Sequence, residues 1–391
     1  MFGRILKWLV IVIAVAVGGV EIYGRHMLKL KPGLAENHLA EALVKFAEYD
    51  QRTGMAYRIN VDQLIDSPYG DFQILYKTNE IGLRDRPMGT HLRQELKFLV
   101  FGDEFAEGWG ADIDQTFVVQ AQLQVNEKTA LKPPVRLVIA GKSGYGAAQN
   151  YLAAEPLIDA LKPRAIVFVY SSLMPHADAL FLRDAELVDG LATGLKAATG
   201  EVRLPHLADY PATPPAWLAA LARGSVAGRL AAEWYGVQAA GAALTPGDPR
   251  TDRVAGIRAG ADLDAVHAES LRHVRALATL AERRGIPFLL VHVPLPPQVA
   301  ADAWAEGRRI FRVSAGLHDP VDVPVVAGFC SEANLRCLHL HEEMRETAAR
   351  LQSTRLYQPG ELALTIDGAG VIGRWLADEI YRWLGELGER R

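Results

Sequence analysis

The chain has 391 residues, with 42 Lys and Arg against 46 Asp and Glu, a formal net charge of −4. A hydrophobic fraction of 50% supplies enough apolar surface to exclude disorder of the whole chain, and the missing basic surplus excludes a dedicated nucleic-acid binder. Two cysteines, Cys330 and Cys337, are too few for a disulfide-dense fold or a four-thiolate zinc site. They either close one small loop in an oxidising compartment or are two unrelated buried thiols.

The N-terminus bears on the compartment. Trp8 to Val20 is an uninterrupted apolar run, extended by flanking residues to about 20, the length that crosses a bilayer core of roughly 30 Å. Lys7 can snorkel, and Trp8 and Tyr23 suit the two interfaces. A cleavable signal peptide is the rival, since Arg4 and Lys7 form a short positive region. The stretch GGVEIYGRH offers a poor cleavage site, which favours an uncleaved anchor over residues 1–26.

Residues 27–75 read as a connecting region, with helical spacing over Leu39–Phe46 and a short strand over Phe72–Tyr76. From residue 76 onward, apolar strand signals alternate with helical stretches. Strands are expected at Leu96–Gly102, Val135–Ala140, Ala165–Tyr170 and Pro287–Val293. Helices are expected at Phe117–Val125, Ala147–Leu161 (broken by Pro156), Ala265–Arg284 and Gly370–Leu387. This alternation predicts an α/β fold with a doubly wound parallel sheet and helices on both faces. An Ala-, Gly- and Pro-rich insertion at about 183–264 interrupts it, with one helix expected from Ala216 to Tyr235. Trp217, Leu221, Trp234 and Tyr235 are its candidate partner contacts; the simpler reading has them packing on the domain.

In an open α/β sheet the active groups gather beyond the carboxyl ends of the strands. The first strand ends in Gly102-Asp103-Glu104-Phe105. The second ends in Ala140-Gly141-Lys142-Ser143-Gly144, and the third runs into Ser171-Ser172-Leu173-Met174. A fourth block, Glu361-Leu362-Ala363, precedes the last helix. With the upstream Asn79-Glu-Ile-Gly-Leu-Arg84-Asp85, these blocks resemble the SGNH (GDSL-type) hydrolase family, in its membrane-anchored bacterial form. The resemblance covers roughly residues 75–178 and 265–385, and implies a flavodoxin-like three-layer fold.

What the resemblance implies for chemistry is a departure. The family's nucleophilic Ser corresponds to Glu104, its oxyanion-hole Gly to Gly144, and its oxyanion-hole Asn to Met174. Its closing Asp-x-x-His, or Asp-x-His, reads Glu361-Leu-Ala363. A carboxylate has no hydroxyl to deprotonate and Ala363 accepts no proton, so a conventional serine mechanism is excluded. Glu104 is expected to form an ion pair with Lys142 in the pocket, beside Asp103. Ser143 lacks an evident His partner, and His176 follows the third strand near the pocket mouth. His339 and His341 alternate like one face of a strand ahead of Glu342 and Glu343; surface histidines are the simpler reading there, a metal pair the sharper one. His292 reads as a satisfied core histidine, and Trp109 as either a cleft aromatic or a core residue.

The expectation is therefore a catalytically inactive chain, not an enzyme, anchored in the cytoplasmic (inner) membrane with its main domain periplasmic or extracytoplasmic. It would serve as a binding or structural subunit, with an integral-membrane partner or a surface glycan, and with no cofactor, metal or nucleic acid. The alternatives are an envelope ester hydrolase or O-acyltransferase of cell-surface glycans with non-standard catalytic residues, or a glycan-binding module.

Overall fold

The structure, a computed structural model, describes residues 2–27, 38–67, 71–89, 95–129, 131, 133–202, 215–243, 263–305, 307–308, 313, 316–351 and 356–386. Helix α1 (Phe2–His26) opens the chain and contains a 20-residue stretch, Lys7–His26, long and apolar enough to cross a membrane. Its Trp8, Leu9, Val10, Ile11 and Val12 side chains are exposed, as a lipid-facing helix requires.

The next elements form a small layer of their own. Helix α2 (His38–Phe46) leads into the antiparallel pair β1 (Ala47–Glu48) and β2 (Ala56–Tyr57), followed by the antiparallel pair β3 (Asp62–Asp66) and β4 (Gln73–Lys77). Phe46 stacks on Tyr76 at 4.2 Å and meets Tyr57 edge-on at 5.2 Å. This apolar cluster also takes in Trp109, Tyr145 and Ala363, so it packs directly on the loops that carry the candidate site.

The body of the protein is one parallel sheet. In chain order its elements are β5 (Leu96–Phe101), α3 (Glu104–Glu107), α4 (Phe117–Thr129), β6 (Val135–Ile139), α5 (Ala147–Leu161), β7 (Ala165–Tyr170) and α6 (Met174–Asp184). A hairpin of β8 (Ala185–Val188) and β9 (Leu191–Leu195) follows, then helices α7 (Ala216–Gly224), α8 (Val226–Ala243) and α9 (Leu263–Arg283). The last stretch holds β10 (Phe288–His292), α10 (Pro296–Val299), α11 (Val323–Glu332), β11 (Arg336–His339), α12 (His341–Leu351) and α13 (Ile366–Glu386). The strand order is β11-β10-β7-β5-β6, all parallel, which is the flavodoxin-like 2-1-3-4-5 arrangement read from the other edge.

Strand periodicity explains the two cores. On one face Phe98, Val100, Leu137, Val167 and Val291 pack with residues of α4, α12 and α13. On the other, Leu99, Phe101, Val138, Phe168 and Leu290 pack with α5, α9 and α11. Successive strand side chains point to opposite faces, so continuous apolar runs fill both layers at once.

Three elements differ from expectation. α5 runs unbroken through Pro156, because the ring removes one backbone donor while Leu152, Ala154 and Ile158 keep their buried packing. The single helix expected over 216–235 is two, divided at Ser225. The edge strand β11 ends at His339, and His341 already opens α12, so the two histidines do not share a strand. Parts of the 183–264 insertion and of the connecting region lie outside the described residues.

Cys330 of α11 and Cys337 of β11 form a disulfide, with their Cα atoms 6.3 Å apart. It clips the edge strand to the helix beside it. Replacing both by Ser is expected to cost about 2–3 kcal/mol in chemical denaturation. Mass analysis under non-reducing conditions is expected to find the chain lighter by two hydrogens. Two freely alkylated thiols in fresh protein would contradict this.

Candidate functional site

The site is built where β5, β6 and β7 end. Gly102 leaves β5 with φ of +151°, and a Cβ there would lie 2.6 Å from that of Ala106 and 2.8 Å from the Val169 carbonyl. Only glycine lets the chain turn this close to β7. Asn150 of α5 holds the turn, accepting from the Gly102 N–H at 3.1 Å and donating to its carbonyl at 3.2 Å. Asp103 then caps α3, accepting the Phe105 N–H at 3.0 Å.

Glu104 is buried as the first residue of α3, and one of its carboxylate oxygens accepts the Gly144 N–H at 3.2 Å. Gly144 has φ of +79°, which aims that N–H across the gap between the two loops. The other oxygen of the pair's neighbour, Asp103 Oδ2, accepts from the Ser171 hydroxyl at the end of β7. Burial and the adjacent Glu104 charge push Asp103 up to about 8, so it carries a proton at neutral pH.

That shift has a stability consequence. An acid with a raised folded-state value stabilises the fold fully below the unfolded value near 4, and the contribution is lost as pH rises to about 8. Asp103→Asn, which keeps a neutral group of the same shape, is expected to flatten the pH dependence. Its denaturation free energy at pH 8 should exceed that of the native chain, relative to pH 5, by an amount on the order of a few kcal/mol. Parallel curves for the two proteins would remove the proton from Asp103.

Next to this pair lies a third carboxylate that the sequence did not signal. Glu107 is fully buried and accepts from Tyr57, from the Tyr76 hydroxyl and from the Ser143 hydroxyl and N–H. Burial raises its value, and the Arg84 guanidinium opposes that rise. Ser143 is thus engaged with a structural carboxylate. Arg84 is itself buried and donates to the carbonyls of Glu107 (3.0 Å), Gly108 (2.7 Å) and Ala111, with its guanidinium 4.6 Å from the Tyr76 ring centre. Asp85, next along, pairs with Arg136 at 2.9 Å and accepts the Ile139 N–H at 3.2 Å, locking the same segment to the end of β6. Asn79 bends the segment by accepting the Ile81 and Leu83 N–H groups. The upstream motif is therefore a brace for the loop after Glu104.

The remaining sequence candidates fall as follows. Lys142 is half-buried with its ammonium 5.3 Å from both the Tyr57 and Tyr145 ring centres. Burial lowers it to about 8, against the pull of Asp50, Glu107 and Glu48. No ion pair joins it to Glu104 among the described residues, which corrects that expectation: the aromatic layer on the loop draws the ammonium away. Met174 is buried at the start of α6, and His176 is buried two residues on. Trp109 is buried edge-on to Phe72, so it is a core residue. Ala363 is buried in the same cluster, and Glu361 is half-buried with its N–H donated to Asp71 at 3.1 Å. Trp217, Leu221 and Trp234 are exposed, at 65%, 53% and 65%, while Tyr235 packs inside the α7–α8 pair. That pair docks on α1: Glu21 accepts the Ala227 N–H at 2.9 Å and Arg25 donates to the Gly224 carbonyl at 3.4 Å.

No protein-family model matches the sequence, and no curated protein does. Among solved structures the chain is similar to the psychrotrophic esterase EstA from Pseudoalteromonas sp., at 10% identity and a TM-score of 0.37, over 74% of this chain and 99% of that one. It is also similar to an acetylxylan esterase, Axe2 from Geobacillus stearothermophilus, at 14% identity and a TM-score of 0.38, over 73% and 93%. A protein assigned to the G-D-S-L lipolytic family of Desulfitobacterium hafniense DCB-2 gives 11% identity and 0.35, over 72% and 98%. Likenesses at this identity concern the fold alone. The printed names of these neighbours, esterases and lipolytic proteins, run against the expectation that the chain is not an enzyme, and are said of those proteins alone. With its 2-1-3-4-5 parallel sheet and its polar residues gathered at the carboxyl ends of the strands, the chain has a flavodoxin-like α/β fold, preceded by one apolar N-terminal helix.

Proposed function

We propose that the chain is a membrane-anchored ester hydrolase of the cell envelope, acting on O-acyl groups of surface glycans through carboxylate chemistry. The observation that carries the reading is the buried Glu104, oriented by the Gly144 N–H and next to Asp103, whose carboxyl burial holds well above the usual range. Because Asp103 stays neutral, the pair holds a single negative charge for general-base work. Glu104 takes a proton from a water molecule as the water oxygen adds to the ester carbonyl. Collapse of the tetrahedral adduct breaks the bond to the alkoxide, which recovers that proton from Glu104, so acid and alcohol leave and the carboxylate is restored.

The disulfide and the apolar helix support an extracytoplasmic domain tethered to the inner membrane. Exposed Trp217, Leu221 and Trp234, on helices docked against α1, fit an integral-membrane partner or the lipid interface. The test is acetate release from an O-acetylated polysaccharide and from an aryl acetate by the detergent-purified full-length chain. Turnover above the buffer blank is expected. No release from either ester between pH 5 and pH 9 would overturn the reading.

A further inference from the structure

The end of β7 faces two ways. Ser171 turns to Asp103, while the next residue, Ser172, donates its hydroxyl to Asp322, just before α11. Around Asp322 the carboxyl ends of β10 and β11 gather a second set of polar groups, all buried. His292 Nε2 lies 3.1 Å from Asp322 Oδ2, and His341 Nε2 lies 3.9 Å from Asp322 Oδ1. One donor atom from each of the three residues falls within 4.8 Å of the others.

The state of His341 points to a ligand. It is 4% exposed, and among the described residues neither of its ring nitrogens has a hydrogen-bond partner. A buried imidazole with both nitrogens unsatisfied is unfavourable unless something else binds it. Its ring sits 4.5 Å from that of His292. The surroundings resemble those of a ligand set. Gln298 donates to Asp322 Oδ1 at 2.6 Å, Ser172 to Oδ2, and His339 Nδ1 lies 3.3 Å from His292 Nδ1. Such contacts hold a carboxylate and an imidazole in a fixed orientation, with Nε2 of His292 turned inward.

We propose that His292, Asp322 and His341 bind one divalent transition-metal ion of the zinc class. Metal–ligand bonds of about 2.0–2.2 Å set tetrahedral donor atoms about 3.3–3.6 Å apart. His292 lies 3.1 Å from Asp322 Oδ2 and His341 3.9 Å from Oδ1, either side of that spacing, and with all three donors within 4.8 Å of one another closure needs side-chain shifts of about an ångström. Two histidines and a carboxylate leave a fourth position open. The ion would tie β10, the start of α12 and the segment before α11 together at the side of the sheet away from Glu104. This assignment is independent of ester turnover, since it rests on different residues and a different readout.

The experiment strips the full-length chain with a chelator, dialyses it against Zn²⁺ and measures zinc content and unfolding temperature. One zinc per chain is expected, with an unfolding temperature that rises with Zn²⁺ concentration. His341→Ala and His341→Gln remove a ring that makes no hydrogen bond, so the fold is expected to persist. Each should weaken zinc binding at least tenfold and abolish the thermal shift. Zinc-free native chain after dialysis, or equal zinc binding by the native chain and both variants, would overturn the assignment.

Discussion

Glu104→Gln is expected to lower ester turnover by about 10²–10⁴-fold while leaving the fold intact, the range set by loss of a positioned general base. The amide matches the carboxylate in shape, and its oxygen still accepts the Gly144 N–H, so the 3.2 Å contact that orients residue 104 survives. What disappears is the ability to take a proton from water. The loss should appear in kcat with little change in KM, because the substitution removes an interaction made as the transition state forms. Equal kcat in the two proteins, with matching circular dichroism, would place the hydrolysis elsewhere.

Arg84→Ala is expected to destabilise the protein by about 3–5 kcal/mol, the cost of taking a buried charged partner from groups that remain. Three carbonyls, of Glu107, Gly108 and Ala111, would lose their donor in a place water does not reach. The Tyr76 ring would lose its cation, and Glu107 the positive charge that restrains its rise. Arg84→Lys should recover only part of the loss, since one ammonium cannot reproduce the planar fork that spans residues 107–111. Denaturant unfolding checks both variants. An alanine variant within 1 kcal/mol of the native chain would show that the loop is held by its apolar layer alone.

Most of the sheet was legible from local pattern. Strand β7 coincides with the run AIVFVY, and β5, β6 and β10 lie within a residue of their apolar runs, because a strand buried on both faces needs continuous apolar side chains. β11 was read only from the alternation of His339 and His341 and extended past its end, since its side chains Arg336 to His339 are only partly buried and carry no such run. Around the candidate site, the blocks at Asp103–Glu104 and Gly144 were legible because they follow strand ends. Their partners were not. Nothing in the neighbourhood of Lys142 indicated that Tyr57 and Tyr145 would draw it from Glu104, and Glu107 gave no sign that two tyrosines and a serine converge on it.

The sequence by itself determined the membrane-length helix, the alternation of strands and helices and the residues at the strand ends, because each depends on neighbours a few positions apart. Only the tertiary structure decided which of those ends share a site. His292, Asp322 and His341 belong to three different elements and meet because β10 and β11 are adjacent in the sheet. Arg84 reaches the loop after Glu104 by folding back across 23 residues or more. Strand order and loop packing set those distances, and no local periodicity records them.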